Sequence, residues 1–191
     1  QFRSSAASDV YKRQALGAYA ISKGKNVVHY TLELNESYVG LRYDSIFSGV
    51  ENQNLKYHME DIQEKIFDLD GKLTIKYYPT KACTVNTLGA HLKKVTSFGG
   101  GQIDMVLVDY ADIMRDVNKT TEMRHALGNI YEDLRGLAGE LQVPIWTASQ
   151  ANRSALDEDV IEATKVAESY AKVMTADFVM SLSRKVEDKI G

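Results

Sequence analysis

Residues 103–114 read IDMVLVDYADIM, in which Met105, Val106, Leu107 and Val108 run directly into Asp109. A short apolar run without polar alternation is the mark of a strand covered on both faces. Four further segments share that character: 27–34 (VVHYTLEL), 73–78 (LTIKYY), 145–148 (IWTA) and 178–182 (FVMSL). Helical stretches lie between them. Residues 35–49 open on an Asn cap followed by Glu36, and 54–69 end on the stop signal Asp70-Gly71. Residues 84–98 stop at the glycine triplet 99–101, and 121–141 carry Leu127, Ile130, Leu134, Leu137 and Leu141 at three- and four-residue steps. Strands alternating with helices need crossover connections, so the expected class is α/β, a mainly parallel sheet flanked by helices. Ligands of such sheets sit beyond the carboxyl ends of the strands, which is where function is sought.

Those ends are polar. The first strand closes on Thr31-Leu32-Glu33-Leu34. A glutamate there can act as a base on water, or can serve only as a charge favoured at the start of a helix. Asp109 follows its apolar run in the Walker B pattern, where a carboxylate holds Mg²⁺ through water near nucleotide phosphates. The plain alternative is an Asp that caps a loop. Residues 144–148 (PIWTA) lead into Ser149-Gln150-Ala151-Asn152-Arg153. A Gln at a strand end can hydrogen-bond both a γ-phosphate and an attacking water, or can belong to an ordinary polar loop. Glu33, Asp109 and Ser-Gln-x-Asn-Arg, in that order on the first, third and fourth strands, are harder to obtain by chance than any one of them.

Taken together these motifs resemble those of DnaB-type replicative helicases, most of all the phage branch. The resemblance rests on Thr31 to Leu34, on Val108-Asp109-Tyr110 with Ile113-Met114-Arg115, on Ser149 to Arg153, and on YEDLRGLAGEL at 131–141 before Val143-Pro144. It covers roughly residues 15–191 and implies a RecA-like P-loop NTPase core with ATP and Mg²⁺ as cofactors. By resemblance Glu33 activates the attacking water, Asp109 positions Mg²⁺ and Gln150 senses the γ-phosphate. Ser149, Asn152, Arg153 and Arg42 would take coupling or subunit-interface roles, and Arg42 can equally be structural. The implied parent is an ATP-driven helicase, a hexameric ring of copies of itself on single-stranded DNA, with a primase and a helicase loader as further partners. Residues 116–120 (DVNKT) would form a first DNA-facing loop and 153–170 a second, with Arg115, Lys119, Lys165, Glu168 and Lys172 as candidate contacts. A solvated helix face accounts for Lys165 and Lys172 equally well. Of the family's Arg-Glu-Ser-Gly, only Glu168 and Ser169 stand in 167–170 (AESY).

The departure from the family lies at the start. A P-loop, G-x-x-x-x-G-K-[ST], needs glycines so that backbone N–H groups cradle phosphates, plus a Lys and a hydroxyl. The family's spacing puts that Lys near Asp9 and the hydroxyl near Val10, and residues 1–14 (QFRSSAASDVYKRQ) contain no glycine. Residues 4–14 resemble translated library-adapter sequence, so 1–14 are expected to be a non-native or disordered tail and 15–191 a partial ATPase domain. By resemblance, the strand bearing the basic finger that reaches a neighbour's ATP lies beyond Gly191. The fragment itself is then expected to be inactive. A rival reading is a degenerate, non-catalytic RecA-like subunit that packs into a ring. A RecA or KaiC relative is a neighbouring enzyme reading, against which the Ser-Gln-x-Asn-Arg block argues.

Bulk properties fit without deciding. The 191 residues are one domain's worth, and 44% apolar content suffices for a core. A net charge of -3 excludes a broadly basic nucleic-acid binder, though not a ring whose pore loops alone are positive. The lone Cys83 forms no internal disulfide, and no apolar run approaches the about 18 residues of a membrane span. A reducing, cytoplasmic setting in a bacterial or phage-infected cell is the default. His29, His58, His91 and His125 lack metal-ligand spacing. Tyr77, Tyr78 and Trp146 read as core.

Overall fold

Alternate residues of the central strands serve two different cores, one on each face of the sheet. The computed structural model describes residues 6–118, 120, 122–149 and 171–180. Its elements in chain order are α1 (Ala6–Ser22), β1 (Val27–Thr31), α2 (Glu36–Ser48), α3 (Met59–Phe67), β2 (Leu73–Tyr77), α4 (Val85–Val95), β3 (Met105–Asp109), α5 (Met123–Leu141), β4 (Ile145–Thr147) and α6 (Ala171–Thr175). Short 3-10 turns stand at Leu55–Tyr57 and Ala111–Ile113. The strands form one sheet in the order β2-β1-β3-β4, with every pairing parallel.

Side chains along a strand alternate between faces. Val28, Tyr30, Val106 and Val108 pack with Leu88 and Leu92 of α4 and Ile130, Leu134 and Leu137 of α5. Val27 and Leu107 pack on the opposite face with Ala18 and Ile21 of α1 and Val39 and Tyr43 of α2. Each fully buried side chain of this kind contributes about 1.5–3 kcal/mol of transfer free energy. The two-sided burial explains why β1 and β3 show no polar alternation.

The helix ends obey local chemistry. Asn35 caps α2 by accepting the Tyr38 N–H at 3.0 Å, and Gly49 closes it in the left-handed region with its N–H on the Ser45 carbonyl. Thr84 and Thr87 form a capping box at the start of α4.

Three expected elements differ. β1 stops at Thr31 because its hydroxyl accepts the Leu34 N–H and closes a turn, so residues 33–34 leave the sheet. The helix expected over 54–69 is a 3-10 turn followed by α3. The fifth strand, 178–182, is not found where it is described: Phe178 to Met180 carry no strand, and 181–182 lie outside the described residues. The helix α1 begins at Ala6 and runs unbroken through Ala15. Among the described residues, no helix is long and apolar enough to cross a membrane.

Candidate functional site

Three adjacent strands end level with one another. Thr31 at the end of β1 pairs with Asp109 at the end of β3, and Val108 pairs with Thr147 at the end of β4. The Leu32 N–H extends the ladder by donating to the Asp109 carbonyl at 2.9 Å. Glu33 then sits in the turn closed by Thr31, exposed and beyond the strand end. The Thr147 hydroxyl donates to the Val108 carbonyl and accepts the Ala111 N–H, each at 2.9 Å. That pair of bonds ties the end of β4 to the chain just past Asp109.

Asp109 shares strand parity with Leu107, so its carboxylate emerges on the α1 and α2 side, where only 2% of it is exposed. The Arg13 guanidinium from α1 pairs with it. Burial pushes the Asp109 carboxyl above the usual carboxylate range against the pull of Arg13; Glu33 adds to the rise and Arg42 opposes it. Behind them His29 Nδ1 meets the Tyr43 hydroxyl at 2.9 Å, and burial followed by the Arg13 charge lowers His29 to about 3, leaving the ring neutral. Among the described residues, Arg13 Nε, Arg42 Nη1, His29 Nε2 and both amide atoms of Gln14 are buried without a hydrogen-bond partner.

This arrangement fits a Mg²⁺-nucleotide on one side only. Asp109 ends β3 and Glu33 stands two residues past the end of neighbouring β1, so both carboxylates lie at the carboxyl end of the sheet, where a carboxylate-held cation and an activated water would need them. On the facing side the Arg13 guanidinium pairs with Asp109, and residues 1–14, which include the start of α1, contain no glycine. Two guanidinium charges near one carboxylate disfavour a divalent ion there. The residues present therefore do not complete a Mg²⁺-nucleotide site. Among the described residues no group of three His, Cys, Asp or Glu side chains could hold a metal ion.

Of the other expected site residues, Arg115 is exposed, its backbone N–H on the Cys83 carbonyl at 2.9 Å. Arg42 is half-buried, and its charge reaches Asp109. Gln150, Asn152, Arg153, Lys119, Lys165 and Glu168 lie outside the described residues. Lys172 is only 2% exposed, and its ammonium donates to Asp112 at 2.8 Å and to the Ser149 hydroxyl at 3.1 Å. A carboxylate half-buried beneath α6 draws it inward. Ser149 in turn donates to Asp112 at 3.1 Å. Sequence reasoning missed Asp112, Tyr131 and Arg13. The first was the most accessible, since it is the second acid in Asp109-Tyr110-Ala111-Asp112.

The profile of the family described as DnaB-like helicase C terminal domain matches residues 6–189. A DnaB-like replicative helicase of Enterobacteria phage T4 is 26% identical over 181 residues, which cover 88% of this chain and 38% of that protein. Replicative helicase DnaB of Helicobacter pylori is 24% identical over 145 residues, or 73% of this chain and 30% of that one. The chain thus spans well under half the length of the curated relatives it matches. Among solved structures, the ATPase domain of G40P superposes with a TM-score of 0.74 at 16% identity, over 88% of this chain and 62% of that one. The fold is therefore that of a RecA-like ATPase core.

Proposed function

The chain belongs to the family of DnaB-like helicase C terminal domains, and on that premise we propose that it is the motor core of an ATP-driven replicative helicase that translocates on single-stranded DNA as a hexameric ring. The observation that carries the reading is the level ending of β1, β3 and β4, which sets Glu33, Asp109 and Ser149 beyond one edge of the sheet. Mg²⁺-ATP, bound to a complete subunit, would supply the phosphoryl group whose hydrolysis drives movement. Glu33, exposed in its turn, takes the proton of the attacking water. Asp109 supplies buried negative charge, and Gln150, next after Ser149, reads the state of the γ-phosphate. Asn152, Arg153 and Arg42 belong to coupling or subunit contact, and Arg115, Lys119, Lys165 and Glu168 to the DNA side. Primase and a loader would be partners of the assembled ring.

The test is made in the complete subunit that carries this core. Glu33→Gln keeps a hydrogen-bonding group but cannot take a proton, so hydrolysis should fall about 10²- to 10⁴-fold with ATP still bound. Normal hydrolysis in that variant would remove the assignment.

A second reading is supported by the Arg13–Asp109 pair and the glycine-free segment before it. In that reading the chain is a non-catalytic ring subunit whose cation site is closed from within. Sequencing the DNA upstream of codon 15 separates the two: an in-frame G-x-x-x-x-G-K-[ST] selects the helicase.

A further inference from the structure

Asp112 lies in the 3-10 turn Ala111–Ile113, three residues past Asp109, and gathers contacts from three other parts of the chain. Its Oδ1 accepts the Tyr131 hydroxyl of α5 at 2.7 Å. Its Oδ2 accepts the Lys172 ammonium of α6 at 2.8 Å and the Ser149 hydroxyl at 3.1 Å. Lys172 also donates to Ser149 Oγ at 3.1 Å, so lysine, serine and carboxylate close a triangle of hydrogen bonds. The Lys172 ammonium stands 5.7 Å from the centre of the Tyr131 ring, a cation–π distance. The side chain of Lys172 is 2% exposed and that of Asp112 13%, so water screens the pair little.

The places this cluster joins give it meaning. Ser149 is the residue before Gln150, Lys172 is the second residue after segment 151–170, and Asp112 shares its chain segment with Asp109. We propose that Asp112 and Lys172 form a buried ionic latch that locks the end of β4 to the start of α6, making both of them positioning residues for DNA-stimulated hydrolysis. The proposal rests on the function proposed above for its meaning in the reaction, but the latch itself is a mechanical statement about this chain. A displacement of Ser149 pulls on Asp112 and Lys172 together, because one carboxylate oxygen receives both. Tyr131 holds the other oxygen and denies the carboxylate the rotation that would absorb the pull.

A buried carboxylate robbed of its cation is costly, so Lys172→Met alone can unfold the region. The double variant Asp112→Asn/Lys172→Met leaves neither charge of this pair buried alone. On the 191-residue chain, hydrogen exchange in the double variant should rise about tenfold or more in both 145–149 and 171–175, with α4 unchanged. A rise confined to 171–175 means that the pair merely anchors α6, and overturns the latch. In the complete subunit, the double variant should lower kcat for DNA-stimulated hydrolysis about tenfold with KM for ATP within about twofold. An unchanged kcat there overturns the positioning role. A native subunit without ATPase activity would sink the proposed function instead, and the exchange experiment would still decide the latch.

Discussion

The guanidinium of Arg13 lies against the carboxylate of Asp109, 96 residues further along the chain, which under the proposed function is the carboxylate that would hold a cation. Under that proposal nucleotide binding has two separate requirements, an open cation position and a backbone cradle for phosphate. Titration of this chain with Mg²⁺-ATP should give no binding heat, and neither should Arg13→Ala, because removing the plug does not build the cradle. Binding by Arg13→Ala alone would show that the plug was the whole obstacle. Binding by the native chain would show that phosphate is held in some other way.

Gln14 is wholly buried in α1, yet neither of its amide atoms has a hydrogen-bond partner among the described residues. Gln14→Leu keeps the volume and removes the buried amide, so it should stabilise the chain by about 1–3 kcal/mol. Urea unfolding measures this as a higher midpoint with the same slope. An unchanged or lower midpoint would mean that the amide is satisfied through water. A stabilising result would also mark residue 14 as a polar side chain in an apolar slot, as expected of a segment that did not evolve with this core.

The same contrast shows what the sequence made legible. β3 was read to the residue because both faces of the sheet are apolar there and Asp109 ends the run abruptly. The α2 boundaries were equally plain, since Asn35 and Gly49 are local signals that need no tertiary knowledge. Asp109 and the residue two before Glu33, Thr31, end neighbouring strands at the same level, because parallel pairing follows from alternating strands and helices. Lys172 could not be placed: its partner Asp112 lies 60 residues away, and a lysine near polar neighbours reads as solvated. The inward turn of Arg13 was hidden for the same reason.

Two glycines should respond oppositely to the same substitution. A Cβ on Gly17 in α1 would lie 2.6 Å from the Tyr43 hydroxyl and 2.7 Å from Leu107 Cδ1, whereas one on Gly136 in α5 would meet nothing within 4 Å. Alanine gains about 1 kcal/mol over glycine inside a helix. Gly136→Ala should therefore stabilise the chain. Gly17→Ala must move Tyr43 off His29 or push Leu107, an overpacking cost of about 1–3 kcal/mol that outweighs the gain. Urea midpoints moving in opposite directions are the expected result; a stabilised Gly17→Ala would show that Tyr43 yields freely.

The loop that follows β3 carries its own acid sensitivity, through Asp116. Burial alone would raise this carboxyl, but the Thr120 hydroxyl, the Asn118 N–H, the Asn129 amide and the Thr120 N–H together outweigh it and hold Asp116 down at about 2. The Asn118 N–H donates at 3.0 Å, the Asn129 side chain at 3.1 Å and the Thr120 N–H at 3.2 Å, so the carboxylate fastens the start of the loop to α5. An unfolded Asp titrates near about 3.9. A group depressed in the folded state contributes stability above the unfolded value and loses it as pH falls through the folded one. Between about pH 4 and pH 2 the unfolded chain therefore takes up a proton at this residue that the folded chain does not, and stability falls on acidification. Asp116→Asn removes that difference and turns one acceptor into an amide facing N–H donors. The variant should be less stable at neutral pH, and its stability should fall less steeply over the same window, by up to about one proton's worth of slope. Unfolding curves taken from pH 5 to pH 2 decide this. Parallel curves for the native chain and the variant would show that Asp116 is not held ionised by the loop.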